Sequence, residues 1–451
     1  MAIIDGRPQW ILVCIFGEKS IMFKYPFAIL FLLSCCTACR NNQRIYVDPA
    51  YVDSLVGHYA PPASQLENEQ EIAFWKGRID PRNPGMVNES KYAALLVSRF
   101  HQLGDIHDVI KSDSTLLRIE EVFNQREAGP FLSLTSNSIL QHRFSLAESF
   151  RAKANVVGLK RQEMLTSLFD VSFELGQYGL AQNAVNELKP VQDFAYFFRR
   201  SKMDHLNGNL DSSISAMLKA ADLTEGSAYL KRVALSNAAD LYIHAGRMKE
   251  SSALYKQCIA ISSADFHSIL GLGWIALVND HHDSLAERLF HFVESKNKLP
   301  DPLFKLTQMA DARQDSVLER KYALAFAAAA TDSVYGNMYN KYLIELYMGI
   351  LDAPDKAVML ARKELDNRAT PQTYAWYAWS LARDHRKAEG YKVFQEHVSG
   401  KPLEGLELYY MGKLMLELDK GYNASEFFKA AYANRYDLSP GLVRDMEKMR
   451  E

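Results

Sequence analysis

Three short stretches of this chain repeat one device: ELGQYGLAQNAV (174–185), HLNGNLDSSISAM (205–217) and HAGRMKESSALY (244–255). In each, a glycine (Gly176, Gly208, Gly246) ends one helix-periodic segment, and five residues later a small residue (Ala181, Ser213, Ser251) starts the tight face of the next. Glycine leaves a helix in the left-handed conformation at little steric cost, and a small side chain lets two helix axes approach closely. Ala147, Ala286, Ala357, Gly390 and Ala424 continue the phase, giving spacings of 34, 32, 38, 35, 71, 33 and 34 residues. The step of 71 spans two units, so a degenerate one belongs near 304–326. Helical hairpins of this length cannot bury their apolar faces alone, and stacking supplies the core. A chain of 451 residues is too long for one ordinary globular core, and one elongated solenoid accommodates it.

A helix–turn–helix period near 34 resembles the tetratricopeptide repeat. Gly412, Ala424, Phe428 and Ala431 match that family's small and aromatic positions in the last unit, and Ala239, Tyr242, Ser251, Tyr255 and Cys258 match them in another. Trp274, Ala286 and Phe290 supply a third set, while the helix-ending proline of the family is mostly missing. The resemblance implies an all-α, right-handed superhelical solenoid with roughly ten units over 68–436 and a C-terminal capping helix over 437–451.

The net charge of −2, with no dense basic stripe, argues against nucleic acid as a partner. Neither a phosphate-binding glycine loop nor a nucleophile-elbow motif occurs. The densest histidine group, NDHHDS (279–284), falls at an inter-helix turn without the cysteines of a zinc knuckle. The expectation is therefore no enzyme activity, no cofactor and no metal. LGLGW (270–274) reads as close helix packing, and Cys258 as a small buried apolar residue.

The N-terminus supplies an address. Met22, Lys24 and the apolar run Phe27–Leu33 have the order of a secretory signal, too short for a membrane span. The run ends in FLLSCCTACR (31–40), which resembles the lipobox of bacterial lipoproteins. That resemblance implies lipid attachment at Cys39, with Cys35 and Cys36 as alternatives, over an export segment of 1–39; the order of the segment favours a start at Met22, with a tandem hydrophobic hairpin or an uncleaved anchor as the rival reading. With Arg40 following Cys39, it implies outer-membrane sorting. Residues 40–67 are polar, contain proline and read as a flexible tether.

In tetratricopeptide arrays the first helix of each unit lines a concave groove. Carried onto this chain, the resemblance gives Phe198, Lys202 and His205, then Asp240 and His244, then Asn279, Tyr339, Tyr342, Trp379, Arg383, Tyr409, Lys413 and Glu417. Exposed rings beside charges suit peptide recognition, although a rotated repeat would turn the same rings into the core. The expected function is a scaffold lipoprotein of the bacterial envelope, membrane-held through its lipid anchor and binding protein or peptide partners. A surface glycan- or nutrient-binding lipoprotein and a cytosolic or membrane-anchored regulator starting at Met1 are the alternatives.

Overall fold

The computed structural model describes residues 44–418 and 424–449, and the cysteine cluster of the export segment lies outside them. Among the described residues all regular structure is helical. Two leading helices, α1 (Pro49–Gly57) and α2 (Ala63–Lys76), precede ten hairpins. The first five are α3·α4 (Met86–Leu103, Ile106–Val122), α5·α6 (Ala128–Leu140, Phe144–Val157), α7·α8 (Arg161–Glu174, Tyr178–Leu188), α9·α10 (Phe194–Leu206, Leu210–Asp222) and α11·α12 (Ala228–His244, Met248–Ile261). The next three are α13·α14 (Phe266–Val278, Asp283–Glu294), α15·α16 (Asp301–Ala312, Ser316–Ala330) and α17·α18 (Asn340–Met348, Pro354–Asn367). Last come α19·α20 (Pro371–Arg383, Lys387–Val393, running on as a π-turn over Phe394–Val398) and α21·α22 (Gly405–Glu417, Ala424–Ala433), followed by α23 (Pro440–Lys448).

The small residues of the sequence phase are the tight crossings of these hairpins. Ala147, Ala181, Ser213, Ser251, Ala286, Ala357, Gly390 and Ala424 are all buried. A methyl group on Gly390 would collide with the Ala378 carbonyl of the facing helix. The missing unit is the seventh hairpin, where Glu319 takes the tight position and divides the 71-residue gap into 33 and 38. Five residues before the tight positions from Ala147 to Gly390 the backbone turns left-handed, at Gly176, Gly208 and Gly246 but equally at His142, His281, Gln314, Asp352 and His385. The glycine pair of LGLGW packs as expected: Gly271 faces the Tyr255 ring and Gly273 faces Phe290. It is thus Gly273, one residue before Trp274, that occupies the small position of this unit. Cys258 is fully buried.

Two expectations need correction. Residues 45–58 do not hang as a tether. Val47 and Val52 are fully buried in the core formed by the fifth and sixth hairpins, and Asp280 accepts hydrogen bonds from the Tyr46 and Val47 amides at 3.1 and 2.8 Å. Val47, Tyr51, Val52 and Leu55 give this strap an apolar face, and its burial is the driving force. The C-terminal helix also does more than cover the last repeat. Arg444 donates to the Asp311 and Ala312 carbonyls of α15, and the Gly441 amide to the Asp311 carboxylate.

The solenoid closes upon itself. The turn of the first hairpin, at Gly104, meets Asn297 and Leu299; that of the third, at Gly176, meets Thr370; that of the fifth, at Gly246, meets the Tyr436 ring. The second joins in through the His142 carbonyl, which accepts from Asn337 and Asn367. Each of these turns contacts the junction that follows the hairpin five places later, and His142 reaches also to Asn367 at the end of the hairpin after that, so one superhelical turn takes between five and six units.

Candidate functional site

The fourth hairpin breaks this seam. Gly208 has nothing within 4 Å of the position its Cβ would take. Across from Asn207 and Gly208, Pro402 and Leu403 border a cavity of about 670 Å³. Two further cavities, of about 420 and 360 Å³, share His244 with it. Together they form an interior chamber lined by the first helices of eight successive hairpins, from Phe173 and Glu174 on α7 to Glu407 on α21. The first-helix rule that the resemblance implied thus locates the interior surface.

Its charges are largely paired within the chain. Lys202 reaches Glu174 at 3.2 Å, and Arg368 approaches the same carboxylate at 3.8 Å. These two cations outweigh burial and hold Glu174 below its ordinary value. His244 meets Asp437 at 2.6 Å; burial opposes its protonation, but the Asp437 bond and charge raise it. Asp240 accepts from Tyr255 at 2.5 Å and pairs with His267 at 3.0 Å. The charge of Asp240, against burial, lifts His267 to about 9. The His267 side chain keeps 61 % of its surface free toward the chamber, so it is a wall group rather than a core group. Lys341 sits 3.9 Å from both Glu404 and Glu407, and the Trp376 indole donates to the buried Glu407 at 2.6 Å.

Lys305 and Glu345 stand outside this pairing. Lys305 lies 3.8 Å over the Trp274 ring and donates to Gln308, and burial pushes its ammonium down to about 8. Burial likewise pushes the Glu345 carboxyl up to about 7. Both line the chamber's largest cavity, and both titrate near neutrality, so their charge responds to whatever enters.

The expected groove residues divide. Lys202, His205, Asp240, His244, Tyr339 and Tyr342 line the chamber, although Tyr339 is 4 % exposed and donates to Asp301 at 2.6 Å. Trp379, Arg383, Tyr409 and Lys413 line an adjoining cavity of about 460 Å³, which shares Glu345, Ser439 and Leu442 with the chamber's largest one and borders α23: Tyr409 and Lys413 both bond Asp445. Trp379 runs along Tyr410 in the core, 5 % exposed. Phe198 stacks on Phe194 away from the chamber, Asn279 ends α13 at the turn beside the N-terminal strap, and Glu417 pairs with Lys387 at 2.5 Å. Cys35, Cys36 and Cys39 lie outside the described residues. The sequence reading missed Trp274, Lys305, Lys341, Glu345, Arg368, Trp376, Glu404 and Glu407. Three of them sit in or next to the degenerate seventh unit, Lys305 on α15 and Lys341 and Glu345 on α17, at positions the first-helix rule does not name.

Ten stacked hairpins, with a small residue at nearly every crossing, define a tetratricopeptide-like repeat solenoid. No family model matches the chain and no curated protein matches it. Among solved structures it is similar to yeast Tom70, at 11% identity and a TM-score of 0.31, over 89% of this chain and 96% of that one. That likeness is too distant to carry any inference.

Proposed function

We propose that the chain is a non-enzymatic scaffold that takes a protein or peptide segment into its interior chamber through the open seam at the fourth hairpin. The observation that carries this reading is the seam itself: turns one, two, three and five are closed by contacts, and turn four borders the largest interior cavity instead. A surface assembled from one helix of each of eight hairpins offers side chains in a row, which suits a segment with its own row of side chains. Sugar capture is less well supported. A stacking sugar needs an open ring face, and Lys305 covers Trp274, Phe304 abuts Tyr342 and Tyr410 lies along Trp379.

We place this scaffold in the bacterial envelope, held at the outer membrane by lipid on Cys39. Palmitate labelling with membrane fractionation tests the address, and an unlabelled soluble product ends it. The chamber is tested by bridging Gly208→Cys and Pro402→Cys with a bifunctional thiol reagent. Cys258 does not interfere, since burial raises its thiol to about 12. Bridged protein is expected to lose the partners that crosslinking captures from intact cells with the unbridged variant. An unchanged partner set refutes entry through the seam.

A further inference from the structure

A second cavity of about 660 Å³ lies apart from the chamber, between the 331–337 loop and α18. Its charge is unlike the chamber's. Arg143, Lys356 and Lys363 line it against one carboxylate, Asp332, and Asp332 already accepts the Val334 amide at 3.2 Å. Among the described residues none of the three cations has a carboxylate within ion-pair distance, in a chain where 30 such pairs occur. Burial raises the Asp113 carboxyl, and the Asn137 and Gln141 amides and the Arg143 charge offset this only in part; Arg143 makes no bridge to it.

Arg143 is held in place rather than free. It comes from the turn of the second hairpin and lies under Gly336, whose φ of 64° and missing Cβ leave room for it: a methyl there would stand 2.8 Å from the Arg143 Nε. The two lysines lie on one face of α18, seven residues apart, which places their Cα atoms about 10.5 Å apart along the axis. Between them sit Met359, 66 % exposed, and Leu360, with Tyr347 and Leu343 forming the apolar wall. A guanidinium under Gly336, two lysines without a carboxylate partner, of which Lys356 lies 5.8 Å over the Tyr347 ring, and an apolar strip between them ask for a ligand with two anionic groups about 10 Å apart and an apolar group in the middle.

We propose that this cleft recognises an extended acidic peptide segment, with carboxylates on Lys356, Lys363 and Arg143 and an apolar side chain on Met359 and Leu360. In a polyproline-type segment, residues three apart share a face and stand about 9 Å apart, which fits the lysine spacing. The inference rests on the reading of the chain as a peptide-binding scaffold and adds a second contact outside its chamber. An exposed thioether and a leucine favour a peptide side chain over a sugar ring.

The test titrates the full chain calorimetrically with acetyl-Glu-Leu-Pro-Glu-amide and with its glutamine counterpart. Binding of the glutamate peptide is expected, at least tenfold weaker for the glutamine peptide and weakened by salt. Lys356→Glu/Lys363→Glu, two exposed changes, is expected to abolish it without altering the thermal melt. Arg143→Gln is expected to weaken it tenfold. Absence of binding, or binding untouched by the lysine pair, overturns the proposal. Equal binding of inorganic phosphate, or tighter binding of polygalacturonate, overturns the peptide assignment. If the cleft variants keep every partner that the seam bridge removes, this inference falls and the chamber reading stands. If neither change alters the partner set, both fall.

Discussion

At the scale of single residues, the tight crossings decide whether hairpins pack. Ala286 is fully buried between its helices, and overpacking such a site costs about 1–3 kcal/mol. Ala286→Leu is therefore expected to lower the urea midpoint accordingly; an unchanged midpoint would mean that the crossing has slack. Glu319 makes the opposite case. It occupies the same position in the seventh hairpin, and burial, reinforced by Asp311, pushes its carboxyl up to about 7 despite Arg444. A carboxyl raised from 4.5 to about 7 penalises the fold as pH climbs through that window. Glu319→Ala is expected to raise Tm at pH 8 and to leave it nearly unchanged at pH 4. Equal shifts at both pH values would show that size, not charge, matters there. These positions also mark how much of the fold was legible. Glycine announces the left-handed turn at 176, 208 and 246, but His142, His281, Gln314, Asp352 and His385 adopt it without announcement, because context rather than residue type places them there. The slip from Gly273 to Trp274 has a similar origin in the lengthened 279–282 turn, which shifts the second helix by one residue.

At the scale of elements, hairpins were readable and the segments that cross between them were not. Residues 45–58 carry a proline and lie ahead of the repeats, yet four apolar side chains fix them to a surface that exists only after the fifth and sixth hairpins have formed. No local pattern in the strap encodes that partner. Val52→Asp is expected to release it, seen as new limited-proteolysis cuts within 45–58 while the hairpins stay resistant; continued protection would mean that the polar contacts of Asp280, Ser252, Lys256 and Arg288 hold the strap. The site was legible to a similar degree. Lys202, His205, Asp240 and His244 follow from repeat phase, whereas Lys305 lies in the degenerate unit, and Lys341 and Glu345 share a helix with Tyr342 at positions the first-helix rule does not name. Within the chamber, α11 and α13 are joined by Asp240 and His267, and His267 titrates near 9 instead of its ordinary 6.5. Asp265 and Asp301 add to the pull of Asp240 on this ring. A histidine raised in the folded state stabilises fully below about 6.5, and that contribution is lost as pH rises toward 9. His267→Asn is expected to flatten the fall in Tm between pH 6.5 and 9; an unchanged slope would assign the pH dependence to other groups.

At the scale of the whole molecule, closure is a property of the array rather than of any hairpin. Each hairpin makes its main contacts with its neighbours, and solenoid stability is approximately a sum of such local terms. The contacts that join hairpin turns to junctions five units later add to this sum without being needed for any single hairpin to form. The C-terminal segment contributes several at once: Tyr436 lies on Gly246 and accepts the Trp274 indole at 2.8 Å, Asp437 pairs with His244, and Arg444 bonds Asp311 and Ala312. Removing these side-chain contacts should therefore open the superhelix while leaving its helices intact. Tyr436→Ala/Asp437→Asn/Arg444→Ala is expected to enlarge the radius of gyration in small-angle X-ray scattering with an unchanged far-UV circular dichroism spectrum. The Trp274 indole bond to the Tyr436 carbonyl survives only if the segment stays in place, so indole fluorescence gives a second reading of the same event. A parallel loss of helix would show that closure and hairpin folding are one cooperative transition. Unchanged scattering would show that the turns at Gly104, His142 and Gly176 hold the superhelix closed without the C-terminal segment.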